Sequence, residues 1–292
     1  MILRYFLSSK DRQGEGMSEV LRATDLCQYF YSGGGFFRKG EEIKAVDGVS
    51  LIVNAGETLG LVGESGCGKS TLGRALLKLY QPSRGEIFFQ GQNITQFSVK
   101  KMRPLRKEMQ IVFQDPMESL NPRHTVGMIL EEPFIIHKLG TKAERQIWVD
   151  ELLVKVGLPI SAKERYPHEF SGGQRQRIGI ARAIALKPKL LICDESVSAL
   201  DVSVQAQILN LLLQLQQEMN LAMIFISHDL SVVKHISDRV AVMYFGKIVE
   251  TGPTEQVFLR PKASYTKQLL AAIPVTHPRD RKKRRLQRDQ VA

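Results

Sequence analysis

Short, continuous apolar runs alternate along this chain with longer stretches of helical spacing. Thr58-Leu59-Gly60-Leu61-Val62, Ile111-Val112-Phe113, Leu190-Leu191-Ile192-Cys193 and Met223-Ile224-Phe225-Ile226 are the runs. Each is bounded by turn residues or by a change to polar composition, the pattern of strands buried on both faces of a parallel sheet. Leu72–Leu79, Gln174–Leu186 and residues 203–219 carry apolar positions at helical spacing, the last at Val204, Ile208, Leu211, Leu212, Leu215 and Met219. Pro188 stops the second of these helices. The alternation predicts an α/β core.

Strand signals of another kind stand near the start. Val20–Tyr31 and Ala45–Val53 read as strands, the first ending in Tyr29-Phe30-Tyr31 and the second in the turn Asn54-Ala55-Gly56-Glu57. Gly33-Gly34-Gly35 and Arg38-Lys39-Gly40 make a loop between them. Pro82–Gly85 leads into Glu86–Phe89, and Gly91-Gln92-Asn93 turns back, which predicts a hairpin. A second hairpin is predicted around Phe245-Gly246-Lys247, between Val240–Tyr244 and Ile248–Thr251. From about 115 to 170 the strand signals fade, and helical patterns at Val126–Leu130 and Lys142–Val156 predict a helical insertion that holds the single tryptophan, Trp148.

Composition narrows the class. The 292 residues are 43% hydrophobic and 24% charged, as in globular proteins, and no apolar run is long enough to span a bilayer. Met1–Leu7 is too short for a secretory leader, residues 1–17 read as a loose extension, and Met17 is a candidate start. Cys27, Cys67 and Cys193 are scattered, so neither a disulfide framework nor a cysteine metal site is signalled. Much of the net charge of +11 lies near the end, where Arg279, Arg281, Lys282, Lys283, Arg284, Arg285 and Arg288 outnumber Asp280 and Asp289. Such a run could touch anionic lipid headgroups or nucleic acid, but reads first as a solvated tail, and the basic balance alone does not make the chain a nucleic-acid binder.

The chemistry starts at Gly63-Glu64-Ser65-Gly66-Cys67-Gly68-Lys69-Ser70-Thr71. A strand, a glycine-rich turn and Gly-Lys-Ser opening a helix form a P-loop. Its glycines let successive N–H groups point at phosphate oxygens, and the helix start adds free donors and a positive dipole end. Lys69 supplies a mobile charge for the terminal phosphates of a nucleoside triphosphate, and the Ser70 hydroxyl suits Mg2+. A buried strand ending in Asp194-Glu195 has the form of a Walker B element: Asp194 for Mg2+, Glu195 to polarise water. A further strand delivers Ser227, His228 and Asp229. Ligands of open parallel sheets sit at the carboxyl ends of the strands, where these groups would meet.

Phe170-Ser171-Gly172-Gly173-Gln174 opens a helix with a hydroxyl, free N–H groups and a dipole, a second anion site. With these motifs in order, the chain resembles the ATP-binding cassette (ABC) ATPases over nearly its whole length. Ser171, Gly172, Gly173 and Gln174 match their signature motif, Gln114 their Q-loop, Ser198-Ala199-Leu200-Asp201 their D-loop and His228 their switch histidine. Phe30 best matches the position that stacks on adenine, with Tyr29 and Tyr31 as register alternatives. Phe170 replaces the commoner leucine, and Ser196 stands where proline is common. The resemblance implies a P-loop NTPase (RecA-like) α/β core, an antiparallel β subdomain and an inserted α-helical subdomain. It places the ATPase domain at 18–260 and a C-terminal extension at 261–292.

The resemblance also implies that two cassettes close head-to-tail, each ATP lying between one P-loop and the other's signature helix. Glu195 is then the general base, Lys69, Ser171 and His228 stabilise the transferring phosphoryl group, and Ser70, Gln114 and Asp194 hold Mg2+. A finer likeness, to ATPase subunits of oligopeptide, dipeptide and nickel importers, rests on Phe113-Gln114-Asp115-Pro116, Ser119–Arg123 and Pro261–Pro274. It implies a second ATPase subunit (a copy or a paralogue), two permease subunits, an extracytoplasmic solute-binding protein, and a peripheral position on the cytoplasmic face of the inner membrane. Some members hold an iron–sulfur cluster through C-terminal cysteines; no cysteine follows Cys193, so none is expected. The alternatives are a cytosolic ABC ATPase of an enzyme assembly such as carbon–phosphorus lyase, and a nucleotide-binding regulator without turnover.

Overall fold

The computed structural model describes residues 18–32, 41–115 and 119–272. The extension at 1–17, the candidate start at Met17, the glycine-rich loop at 33–40 and the basic run after 278 lie outside the described residues.

Two sheets carry the fold. The larger has strand order β10-β9-β3-β8-β7-β6, formed by β3 (Thr58–Val62), β6 (Met109–Val112), β7 (Leu190–Asp194), β8 (Ala222–Ile226), β9 (Arg239–Tyr244) and β10 (Lys247–Pro253). All its neighbours pair in parallel except β10, which folds back on β9. Every residue of β3, β7 and β8 is buried, which is why these strands read as unbroken apolar runs. The smaller sheet is antiparallel, in the order β2-β1-β4-β5, from β1 (Glu19–Ser32), β2 (Glu41–Asn54), β4 (Arg84–Phe89) and β5 (Gln92–Asn93).

The larger sheet is covered on both faces. One apolar core joins the smaller sheet, through Leu21, Val49 and Ile87, to α1 (Lys69–Leu76) and to Leu59, Ile192 and Ile224. The other joins Leu191, Met223 and Phe225 to the helices opposite and to the insertion. Short α2 (Val99–Met102) follows the first hairpin. The insertion is α3 (Val126–Ile136), α4 (Lys142–Lys155) and two single turns at Ile160–Glu164 and Pro167–Glu169. It leads into α5 (Gly172–Ile184), and α6 (Val202–Met219) follows β7. Then α7 (Leu230–Ile236) follows β8, and α8 (Thr254–Leu259) and α9 (Ser264–Ala271) close the described chain. Fully buried leucines such as Leu72 and Leu76 each contribute about 1.5–3 kcal/mol.

Several boundaries differ from the sequence reading. The helix expected at 72–79 is Lys69–Leu76: the last N–H groups of the glycine loop are already its first turn. It stops because Lys78 adopts φ 55°, and Arg106 donates to the freed carbonyls of Leu77 and Lys78 at 2.9 and 3.0 Å. The strand expected at 111–113 is Met109–Val112, in register with Leu190–Cys193, and leaves Phe113 beyond its end. The helix expected from Gln174 starts at Gly172, because Ser171 caps it.

Candidate nucleotide site

Buried β3 ends at Gly63, and the loop to Lys69 curls back against β2 and β9. A Cβ on Gly63 would stand 2.2 Å from the Met243 carbonyl oxygen, and one on Gly68, at φ 107°, 2.0 Å from that of Ala45. Backbone leaves no room at either point, so only glycine fits. The Lys69 side chain folds back over the loop, its Nζ donating to the carbonyl oxygens of Gly63 and Glu64, each at 2.8 Å. Two of the three donors of this buried ammonium are taken by backbone carbonyls. Burial raises the pKa of the neighbouring Cys67 thiol, which stays neutral.

A cavity of about 520 Å3 lies in front of the loop, lined by Ser65–Thr71, Gln114, Glu195, Phe245 and Gly246, with Ile43, Lys44 and Ala45 from β2. No sequence motif marks the β2 residues or Phe245 as lining, because the contact is made by the second sheet and a hairpin far along the chain.

The strand ends bring the polar groups together. The Ser70 hydroxyl donates to Asp194 Oδ1 at 2.7 Å, joining the first turn of α1 to the end of β7. Asp194 is buried, and that burial raises its pKa against the opposing pull of the Ser70 hydrogen bond and the Arg74 charge. Glu195, the next residue, has φ 48°, a conformation that costs a non-glycine residue about 1–2 kcal/mol. Its N–H donates to the Ile226 carbonyl at 3.0 Å, and its Oε2 lies 3.3 Å from Nδ1 of His228. The strained backbone turns Glu195 off the line of β7 and towards the histidine delivered by β8. Ser196 is buried, and the Ser198 hydroxyl donates to the Glu195 carbonyl at 3.0 Å. Gln114, just past β6, lines both this cavity and the neighbouring one.

The neighbouring cleft, of about 830 Å3, joins Ser70, Gln114 and Asp194 to Gly172, Arg175 and Gln176 of α5 and to Ala199 and Leu200. Ser171 and Gln174 line neither cavity, and with Gly172 they are exposed. They form a reciprocal cap: Gln174 N–H donates to Ser171 Oγ at 3.4 Å, and Ser171 N–H to Gln174 Oε1 at 3.1 Å. Gly173 is buried against α6, where a Cβ would meet Val204 Cγ1 at 2.2 Å. Asp201 precedes α6 as its cap residue.

The aromatic cluster is divided. The Tyr29 hydroxyl donates to Asp47 Oδ1 at 2.7 Å. Phe30 pairs with Ile43 across the strands and sets its ring edge-on to Tyr80, with centroids 5.5 Å apart; Tyr31 is exposed. None of the three lines the cavity, although Ile43, opposite Phe30, does.

Residues 46–198, just over half of the chain, match the family described as ABC transporter. The chain belongs to that family. It is 55% identical over 267 residues to the oligopeptide transport ATP-binding protein AppF of Bacillus subtilis, covering 91% of this chain and 81% of that protein. It is 54% identical over 271 residues to the glutathione import ATP-binding protein GsiA of Salmonella typhimurium, covering 91% of this chain and 43% of that longer protein. Among solved structures, a post-hydrolysis dimer of the ATP-binding cassette MJ0796 with ADP and Pi superposes with a TM-score of 0.71 at 26% identity. That alignment covers 80% of this chain and 98% of the other. This ABC cassette is therefore an ATPase on the P-loop NTPase fold, with the antiparallel sheet and helical insertion that the sequence predicted. Among the described residues, no helix is long and apolar enough to cross a membrane.

Proposed function

We propose that this ABC ATPase energises import of peptides, or of a related small solute, through a membrane permease, from a peripheral position on the cytoplasmic face of the inner membrane. The observation that carries the reading is the convergence of Lys69, Ser70, Asp194, Glu195 and His228 at the carboxyl ends of three adjacent strands. The names of AppF and GsiA, both concerned with peptides, support the cargo class and favour import over a cytosolic enzyme assembly.

In this reading residues 63–71 cradle the phosphates of ATP, with N–H groups of the loop and the Lys69 ammonium as donors. Phe30 stacks on adenine, in place of its present edge contact. The Ser70 hydroxyl, the Asp194 carboxylate and the Gln114 amide oxygen suit Mg2+, a hard cation held by few protein oxygens and by substrate phosphates. When bound, it neutralises charge on the β- and γ-phosphates. Glu195 takes a proton from water as the water oxygen bonds to the γ-phosphorus, and the bond from that phosphorus to ADP breaks. His228 orients Glu195 and donates to the transferring phosphoryl group. Ser171, Gly172, Gly173 and Gln174 face the ATP of a second cassette, and Ser198–Asp201 form the D-loop. Exposed Met128, Ile135 and Ile136 on α3 offer the permease an apolar surface on the helical insertion.

Co-expression with the cognate permeases tests this. The chain is expected to leave detergent-solubilised membranes with a second ATPase subunit and two permease subunits, and its ATP hydrolysis to rise with peptide-loaded solute-binding protein. Recovery only in a soluble enzyme assembly would overturn the reading.

A further inference from the structure

Helix α9 reaches the P-loop. The hydroxyl of Tyr265 accepts a hydrogen bond from the N–H of Glu64 at 3.1 Å. The contact joins residues 201 positions apart. The same peptide unit carries the Gly63 carbonyl, whose oxygen accepts from Lys69 Nζ at 2.8 Å. In a planar trans peptide the N–H and C=O point in opposite directions, so a partner on one end sets the aim of the other. With Gly63 lacking a side chain, that plane turns more freely than elsewhere.

Tyr265 is itself held. It is 8% exposed, and its ring packs on that of Tyr244 with centroids 4.0 Å apart. Tyr244 in turn packs on Phe245, which lines the cavity. The helix is anchored at its start, where the Glu250 carboxylate on β10 accepts from the N–H groups of Lys262 and Ala263 at 2.8 and 3.0 Å. Burial raises the pKa of the Tyr265 phenol, so it meets the amide as a neutral hydroxyl.

We propose that Tyr265 is a positioning residue of the nucleotide site, fixing the Gly63–Glu64 peptide so that the Gly63 carbonyl holds Lys69 over the loop. The inference rests on the reading of residues 63–71 as the ATP site. It extends the site into the C-terminal segment, so displacement of α9 by a partner would loosen the loop.

The test uses Tyr265→Phe, which keeps the ring and removes one hydroxyl, in the full chain. Binding of a fluorescent ATP analogue is expected to weaken about three- to tenfold, the worth of one hydrogen bond, with the melting temperature lowered by no more than about a few degrees. In a Lys69→Ala background the same substitution is expected to change affinity less than about twofold, because coupled residues are not additive. Unchanged affinity in folded Tyr265→Phe, or an equal loss in the Lys69→Ala background, would overturn the proposal. Should Tyr265→Phe not fold, Glu250→Ala carries the test: it frees the start of α9 without touching loop or ring, and unchanged ATP affinity overturns the proposal equally. Failure of the unsubstituted protein to bind ATP would instead overturn the site reading, and this inference with it.

Discussion

Ser70 and Asp194 stand 124 residues apart in sequence and are joined by a 2.7 Å hydrogen bond in the folded chain. That bond ties the first turn of α1 to the end of β7, so the oxygens proposed to meet Mg2+ are neighbours. Asp194→Asn keeps an acceptor for Ser70 and removes the charge. Turnover is expected to fall roughly 10²-fold, from the lost stabilisation of transition-state charge, in assays across a Mg2+ series. Full activity of Asp194→Asn would remove Asp194 from the proposed metal set.

The same substitution has an opposite effect on stability. Burial raises the Asp194 pKa in the folded protein, so the folded state favours the protonated acid more than the unfolded state does. Stability is therefore lost as pH rises from the ordinary carboxylate range through the raised folded value, and is recovered below both. Nucleotide-free Asp194→Asn should melt above the unsubstituted protein at neutral pH, and the gap should close on acidification. Calorimetry at several pH values checks this.

Glu195 and His228 face each other at 3.3 Å across adjacent strand ends. Glu195→Gln is expected to bind ATP and to lower turnover about 10²–10⁴-fold, the usual cost of losing a positioned base. His228→Ala leaves the base but not its orientation, for an expected loss of roughly 10²-fold. Single-turnover kinetics separates both effects from binding.

Gly68 has φ 107° and no space for a Cβ beside the Ala45 carbonyl. Gly68→Ala should cost about 1–3 kcal/mol of stability and weaken ATP binding, because the loop must shift off β2 to admit the methyl group. Denaturant titration and ATP binding measure the two consequences.

Much of this was legible from the residues. Buried parallel strands advertise themselves as unbroken apolar runs, so β3, β7 and β8 emerged with Asp194 and His228 at their ends. The P-loop was legible because its glycines answer to steric demands that few other residues meet. Local hydrogen bonds moved the helix limits: Arg106, distant in sequence, ends α1, and the Ser171–Gln174 cap starts α5 early. The contact of Tyr265 with Glu64 was not legible at all, since a tyrosine on a terminal helix carries no signal of what its hydroxyl touches. Nor does the sequence show that Glu195 adopts φ 48°.

In the proposed arrangement this chain holds half of each ATP site: Ser171 and Gln174 of the signature turn are exposed and line neither cavity beside residues 63–71. The direct measurement is ATP turnover per chain against protein concentration, with molecular mass read by light scattering in the same samples. Turnover per chain should rise steeply as ATP-bound pairs form, whether with a second copy or with an added paralogous cassette, and Ser171→Arg should abolish the rise. Constant turnover per chain from a protein that stays monomeric throughout would contradict it.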